Sequence, residues 1–280
     1  LTTLIVDGDL FAYRVAAATE RATDFGDGQY ALTADADAGK FNLDATMDDF
    51  MTRLGGERMI VAISDEKNFR KEVMPTYKSN RANVRRPIIL HALLDHFREN
   101  YEVFVRPHLE ADDVMGILAT NPKVVEGEKI VITMDKDLRS VPGLHWNPEK
   151  EGLTKRQEPT KVSLAAADAA FYRQVLSGDM VDGYSGCPGI GTKRAAELVD
   201  QPIRKVQTTF EVKRGPNKGQ LKSRWLSEPT ADIWECIITH YVAAGLTEED
   251  AITTARVARI LRHGDYDYKR KEPILWQPSR

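Results

Sequence analysis

The stretch HLEADDVMG, residues 108–116, sets Glu110, Asp112 and Asp113 within four positions, directly before the apolar run Val114-Met115-Gly116-Ile117-Leu118. Two carboxylates about 5 Å apart repel by roughly 3 kcal/mol at an effective dielectric of about 20, so acids gathered at the edge of a core need a compensating cation. The pattern recurs. Asp7 closes TTLIVDGD, Asp65 closes RMIVAISD, Asp135 and Asp137 close EKIVITMDKD, and Asp179 and Asp182 lie in SGDMVDG. Three-residue spacing places Glu110 with Asp113, and Asp179 with Asp182, on one face of a helical turn. Two-residue spacing would aim Asp135 and Asp137 the same way from a strand end. Taken singly, each acid, Asp65 above all, reads equally well as a helix cap or a loop residue. Their recurrence at the ends of apolar runs points instead to hard divalent ions, and all-oxygen donors select Mg²⁺, with Mn²⁺ as a substitute, over zinc. Two such ions about 4 Å apart can activate a water and stabilise the leaving oxygen of a phosphodiester.

A second constellation is SGDMVDGYSGCPGIGTKRAAELV, residues 177–199, which joins an acid pair to Gly186, Gly189 and Gly191, then Thr192, Lys193 and Arg194 at the start of a helical pattern. Glycines let a backbone approach a phosphate, and a helix N-terminus favours an anion. The order Gly191-Thr192-Lys193 does not fit a Walker loop, and no strand precedes it as a dinucleotide fingerprint requires. A plain interhelical turn is the competing reading.

Net charge is −3, which at face value argues against nucleic acid. Without the nine acids named above, however, 33 acids face 39 bases. Those bases cluster in KNFRKEVMPTYKSNRANVRR, residues 67–86, and in KRGPNKGQLKSR, residues 213–224, which has no acid. Such clusters are electrostatic footprints for phosphate backbones, the alternative being a solvated face.

Positioning these residues requires particular elements. The cores LIV, MIVAI, VFV and IVIT are β-branched and short, as in buried strands, and helical patterns such as RPIILHALLDHFREN, residues 86–100, lie between them. That alternation predicts an α/β fold with a mainly parallel central sheet flanked by helices, whose strand ends would bring the acids to one edge. After about residue 160 the texture becomes helical: VSLAAADAAFYRQVLSGD, residues 162–179, then LTEEDAITTARVARILR, residues 246–262, where Thr247 opens a capping box. Residues 201–230 read as an irregular excursion, and residues 20–50 show little core pattern. Two distant cysteines, Cys187 and Cys236, offer neither zinc spacing nor a disulfide framework, which suits a reducing cytoplasm. No apolar run reaches the roughly 18 residues of a membrane span. LTTLIVDGDL reads as a strand rather than a signal peptide, for no basic head precedes it.

Together IVDGD, SDEKNFRKEVMPTYKSNR, LEADDVMG, MDKDL, GDMVDGYSGCPGIGTKRA and ARILR resemble the 5′-nuclease (flap endonuclease) superfamily, most of all the 5′→3′ exonucleases of T-seven-like podophages. The resemblance spans nearly the whole chain. It implies a PIN-like nuclease domain over about 1–165, with a metal site and a basic arch segment at about 66–100. A helical duplex-binding portion over about 166–280 would contain a helix-three-turn-helix element. It implies digestion from 5′ ends of duplex DNA, flap cleavage and RNA removal from RNA–DNA hybrids during phage replication. In it, Asp7, Glu110 and Asp112 serve one metal ion, Asp135, Asp137, Asp179 and Asp182 a second, with Asp113 between them and Asp65 in the same set. Lys78 and Arg81 would act on the scissile phosphate. Tyr77, Arg85 and Arg86 would contact DNA, as would Gly186, Gly189, Gly191, Thr192, Lys193 and Arg194, with K⁺ at the glycine turn. A monomer in the cytoplasm of an infected bacterial host, working beside replication proteins and away from membranes, completes the expectation.

Two rival functions also suit the sequence. VDGDLF, residues 6–11, also suits a haloacid-dehalogenase-type phosphatase, which would form an aspartyl-phosphate at Asp7 but leaves the glycine turn unexplained. A non-catalytic DNA-end binder would bind duplex without strand loss in Mg²⁺.

Overall fold

The computed structural model describes residues 1–150 and 157–278. They form two compact units. Unit 1 is Leu1–Phe69, Arg81–Ala167 and Ile260–Ile274; unit 2 is Arg70–Asn80, Asp168–Arg259 and the residues from Leu275. The main passage falls at Ala167–Asp168, and each unit also reclaims a short segment from across it.

The chain begins with β1 (Thr2–Asp7), α1 (Gly8–Thr19), a hairpin of β2 (Arg21–Asp24) and β3 (Tyr30–Thr33), α2 (Ala36–Leu54) and β4 (Arg58–Ala62). It continues through α3 (Phe69–Val73), α4 (Leu90–Asn100), β5 (Val103–Phe104), α5 (Ala111–Thr120), β6 (Glu128–Ile132), β7 (Gly143–Trp146) and β8 (Thr160–Val162). The central sheet of unit 1 has the order β5-β4-β1-β6-β7-β8. Every neighbour pairing is parallel except β7 with β8. This is the mainly parallel α/β sheet that the β-branched runs predict. Leu4 and Val6 of β1 join Val61, Ile130 and Ile132 in one buried cluster with Phe11, Leu43, Met47, Phe50, Leu93 and Phe97 of α1, α2 and α4. Each such side chain contributes about 1.5–3 kcal/mol by leaving water. Helix α5 packs on β1, β4 and β6. Gly8 starts α1 hard against β4: a Cβ there would lie 2.5 Å from Val61 Cγ1.

Residues 20–50 prove ordered. Asp35 accepts hydrogen bonds from the N–H groups of Asp37 and Ala38 to cap α2, and Leu43, Met47 and Phe50 give it a buried stripe. Helix α4 starts at Leu90, three residues after Pro87 and later than the pattern suggests. Among the described residues, no helix is long and apolar enough to cross a membrane.

Unit 2 contains most of α6 (Leu164–Ser177), β9 (Gly178–Asp179), β10 (Tyr184–Ser185), α7 (Thr192–Asp200), β11 (Ile203–Glu211), β12 (Leu221–Pro229), α8 (Ile233–Ala243) and α9 (Glu248–Ala258). Phe171, Val175, Leu176, Leu198, Trp234, Ile237, Tyr241 and Ala255 form its core. The capping box of α9 forms as its sequence predicts: Asp250 N–H donates to Thr247 Oγ1, and Thr247 N–H to Asp250 Oδ2. Arg70, part of the basic run, is buried and donates to the carbonyls of Val257 and Arg259, placing a cation at the C-terminus of α9. The expected irregular excursion at 201–230 is instead a regular antiparallel ribbon, nine residues paired with nine from Ile203↔Pro229 to Glu211↔Leu221.

The chain returns to unit 1 as a strap ending in a hairpin, β13 (Tyr266–Asp267) and β14 (Glu272–Pro273). Leu261 N–H donates to Asp113 Oδ1 (3.1 Å), Arg262 Nη2 to Ser140 O (2.6 Å) and His263 N–H to Thr120 Oγ1 (2.7 Å). Gly116 is required beneath it, since a Cβ would lie 2.3 Å from Leu261 O.

Candidate active site

The register of the sheet sets the site. Asp7 is opposite Ala62 across β1 and β4, and Val6 is opposite Ile132 across β1 and β6. Asp7, Asp65 and Asp135 therefore all emerge at the carboxyl edge of adjacent parallel strands, where ligands of open α/β sheets bind. A chain of hydrogen bonds draws the LEADD turn to the same edge. Ser64 N–H donates to Asp9 Oδ2, His108 N–H to Asp65 Oδ2, and Ala111 N–H to Ser64 Oγ. Glu110 is then the N-cap residue of α5, with Asp112 and Asp113 in its first turn. Seven of the nine expected ligands, Asp7, Asp65, Glu110, Asp112, Asp113, Asp135 and Asp137, thus belong to this edge of unit 1. Asp179 and Asp182 belong to unit 2.

These acids differ in what they already do. Asp7 is 6% exposed and its Oδ1 accepts from Leu10 N–H, capping α1. Asp113 is fully buried, with Oδ2 accepting from Glu110 N–H and Oδ1 from Leu261 N–H, so it fastens the turn and the strap. Strand β6 ends at Ile132, so neither acid sits at a strand end: Asp135 lies in the following loop and Asp137 opens a 3-10 turn, Asp137–Ser140. There Asp135 Oδ1 accepts from Asp137 N–H. Asp135 is exposed; Asp65, Glu110, Asp112 and Asp137 are half-buried.

Asp9 was not singled out in the sequence. Burial pushes its carboxyl up, the Glu110 charge adds to that, and hydrogen bonds from the backbone and hydroxyl of Ser64 oppose it. The Asp7–Asp9 spacing repeats that of Asp135 and Asp137 and was the signal available. Burial reinforced by Glu110's like charge is what an acid edge short of positive charge produces. Among the described residues, no group of three or more His, Cys, Asp or Glu side chains is already closed around a metal position. The donors themselves, all carboxylate oxygens from the strand edge and the α5 turn, fit a hard divalent cation by their chemistry.

Unit 2 carries a cationic group beside its acids. Lys78 takes φ 52° and donates its N–H to Asp182 O, while its Nζ lies 3.6 Å from Asp182 Oδ2 and over the Tyr77 ring. Tyr77 is 3% exposed and donates its hydroxyl to Asp182 Oδ2, so its ring packs in the core instead of offering a surface contact. Asp179 Oδ1 accepts from Val181 and Asp182 N–H, a turn rather than the helical face expected from the spacing. The glycines divide their labour. Gly186 is buried, and a Cβ would lie 2.3 Å from both Gly178 N and Leu176 O, so it closes the turn backbone on backbone. Gly189, at φ 79°, and Gly191 have open space beside them. Gly191 caps α7, whose exposed first residues are Thr192, Lys193 and Arg194; Arg194 pairs with Glu197 at 2.8 Å.

Of the bases on the arch segment within unit 1, Arg81, Arg85 and Arg86 are exposed. Arg85 forms a two-pronged pair with Glu20, at 2.7 and 2.6 Å, and this holds the Glu20 carboxyl down at about 2.

Residues 2–146 match the family described as 5′-3′ exonuclease, N-terminal resolvase-like domain. The exonuclease of Escherichia phage T7 is 33% identical across 98% of this chain and 93% of its own length. The exodeoxyribonuclease of Enterobacteria phage T3 is 32% identical across 98% and 92%. The flap endonuclease Xni of Shewanella oneidensis is 29% identical across 60% and 66%. Among solved structures, a mutant of the T5 5′-exonuclease superposes with a TM-score of 0.54 at 15% identity, covering 92% of this chain and 88% of that one. A T5 protein co-crystallised with metal ions gives 0.52 at 18%, covering 71% and 74%. At those identities the structural likeness speaks for the fold alone.

Proposed function

The chain belongs to the 5′-3′ exonuclease family, and from that premise we propose that it hydrolyses phosphodiesters at the 5′ ends and 5′ flaps of double-stranded DNA by a two-metal reaction. The observation that carries this reading is the gathering of acids at the carboxyl ends of β1, β4 and β6, with Asp9 and Glu110 crowded behind them. The rival phosphatase reading loses its ground, because the family match includes the VDGDLF segment on which it rested.

Asp7, Glu110 and Asp112 are the proposed ligands of one ion, with Asp65 supporting the turn between them and Asp113 fixing the start of α5. Asp135 and Asp137 are proposed for the second, and the family pattern in the sequence adds Asp179 and Asp182 to it. Mg²⁺ is the ion of choice and Mn²⁺ its substitute; bound there, the pair supplies an activated water and charge for the leaving oxygen. Lys78, pre-set by its contact with Asp182, and Arg81 offer cations to the scissile phosphate as its charge develops. The turn from Gly186 to Lys193 and the first residues of α7 are proposed to hold phosphates of one duplex strand in the manner of a helix-three-turn-helix element, with K⁺ in the turn. RNA–DNA hybrids are further substrates, replication proteins are the expected company, and the enzyme works as a monomer in the cytoplasm of the infected host.

The test is digestion of 5′-labelled blunt, recessed and flapped duplexes in Mg²⁺ and then in EDTA. Release of short 5′ products in Mg²⁺ alone is expected. Asp135→Ala should reduce that release by more than about a hundredfold, the scale of losing one electrostatic stabiliser, while duplex binding persists. Near-normal turnover in that variant would remove Asp135 from the metal site.

A further inference from the structure

The β11–β12 ribbon has no part in the chemistry proposed above, yet among the described residues it is the longest strand pairing. Its root is fixed. Arg204 pairs with Glu228 and with Glu235 of α8, Lys205 N–H donates to Thr239 Oγ1 of α8, and Thr230 N–H donates to Pro202 O. Both root acids are thereby occupied. Beyond the root bases prevail: Glu211, opposite Leu221, is the single acid there, against Lys213, Arg214, Lys218, Lys222 and Arg224. Among the described residues none of the five has a salt bridge. The tip is ordered rather than loose, closed by Val212 N–H to Gln220 O, Gly219 N–H to Val212 O and Lys218 N–H to Gly215 O.

Directly opposed residues share a face of a ribbon. The pairs Val206↔Leu226, Thr208↔Arg224 and Phe210↔Lys222 make one face, with the Arg224 guanidinium 5.3 Å over the Phe210 ring. Phe210 is 38% exposed and Trp225, on the other face, 37%. Nine residues extend about 30 Å, the length of some nine base pairs, and a two-stranded ribbon fits the major groove of B-DNA. Lysine is depleted in protein–protein interfaces, which argues against a protein partner for this surface.

We propose that the distal half of the β11–β12 ribbon is a second duplex-DNA contact, laid along a groove, with Lys213, Arg214, Lys218, Lys222 and Arg224 on the flanking phosphates. Phosphate contacts fix position without reading sequence. The ribbon therefore tethers the chain to whatever duplex it has engaged and raises the number of nucleotides removed per encounter. This deepens the nuclease reading by naming where the uncut duplex is held.

The experiment measures binding of the whole chain to a blunt duplex in EDTA, where nothing is cut, over a range of salt concentrations. A Lys213→Ala, Lys218→Ala, Lys222→Ala, Arg224→Ala variant should weaken binding at least about tenfold near 0.1 M salt and flatten the log–log salt slope by about two to four. Replacing the three lysines by arginine should preserve the slope. Thermal unfolding of each variant checks that the ribbon's loss of charge has not unfolded the chain. An unchanged slope in a folded alanine variant overturns the proposal. So does a change seen only with single strands, or only with vesicles of phosphatidylserine and phosphatidylcholine. A wild-type chain that shows the ribbon-dependent slope but never cleaves in Mg²⁺ would sink the nuclease reading and leave the ribbon's role standing.

Discussion

Lys78 holds a left-handed backbone that a residue with a Cβ adopts at a cost of about 1–2 kcal/mol. Its N–H and its ammonium both answer to Asp182, so the strain is compensated where the side chain is aimed. Lys78→Ala and Lys78→Gly should each slow single-turnover cleavage by about a hundredfold or more with little loss of affinity. The glycine variant should also be the more stable of the two by about 1 kcal/mol in urea unfolding. An affinity loss without a rate loss would make Lys78 a docking residue. Glu20 yields a pH prediction. Arg85 holds its carboxyl at about 2 against an ordinary 4.5. A depressed carboxyl stabilises the fold above its unfolded value and loses that contribution as pH falls, here between about 4.5 and 2. Glu20→Gln should lower stability near neutrality and flatten the acid limb of thermal midpoints over that window; an acid limb like the wild type's would dissolve the pair. Single residues differ in how far the sequence reveals them. Recurrence at run ends betrays Asp7, because a strand's end is written in its composition. Nothing local tells that Tyr77 and Arg70 are buried, or that Asp113 spends both oxygens on backbone groups, one of them 148 residues away.

Elements whose partner lies nearby were legible, and those defined by packing were not. The strands of the central sheet follow from their β-branched runs, and α9 from its capping box. Helix α2 escaped because its apolar stripe of Leu43, Met47 and Phe50 is interleaved with acids and small residues that weaken any periodic signal. The ribbon escaped for a different reason: its alternate positions are polar on both faces and its tip is rich in turn residues, a composition shared with irregular loops. The glycine turn was recognised as a whole, but the sequence could not distinguish its members. Gly186→Ala places a Cβ against two backbone atoms that cannot step aside, and should destabilise by about 3 kcal/mol or more. Gly189→Ala meets open space and should cost only the left-handed backbone term, about 1–2 kcal/mol. Equal losses in denaturant midpoints would show that Gly186 is not the pivot of that turn.

For the molecule as a whole, the proposed metal ligands would make folding and ion binding one equilibrium. Anything bound to the folded chain alone stabilises it by mass action, about 2.7 kcal/mol at a hundred times its dissociation constant. Mg²⁺ should therefore raise the thermal midpoint in a concentration-dependent way, EDTA should reverse it, and Asp135→Ala should blunt it; a midpoint indifferent to Mg²⁺ would contradict the metal assignment. The interleaved membership of the two units has a bearing on how the protein comes into being. When β8 leaves the ribosome, Asp113 and the Ser140 carbonyl still lack Leu261 and Arg262, which emerge roughly a hundred residues later, some 5–20 s at ordinary elongation rates. A nascent chain thus carries every strand of its sheet before it has the strap that locks α5 in place. An edge assembled in that order is completed only once Leu261 and Arg262 have been synthesised, so the hydrogen bonds that fasten α5 form late in the life of the nascent chain.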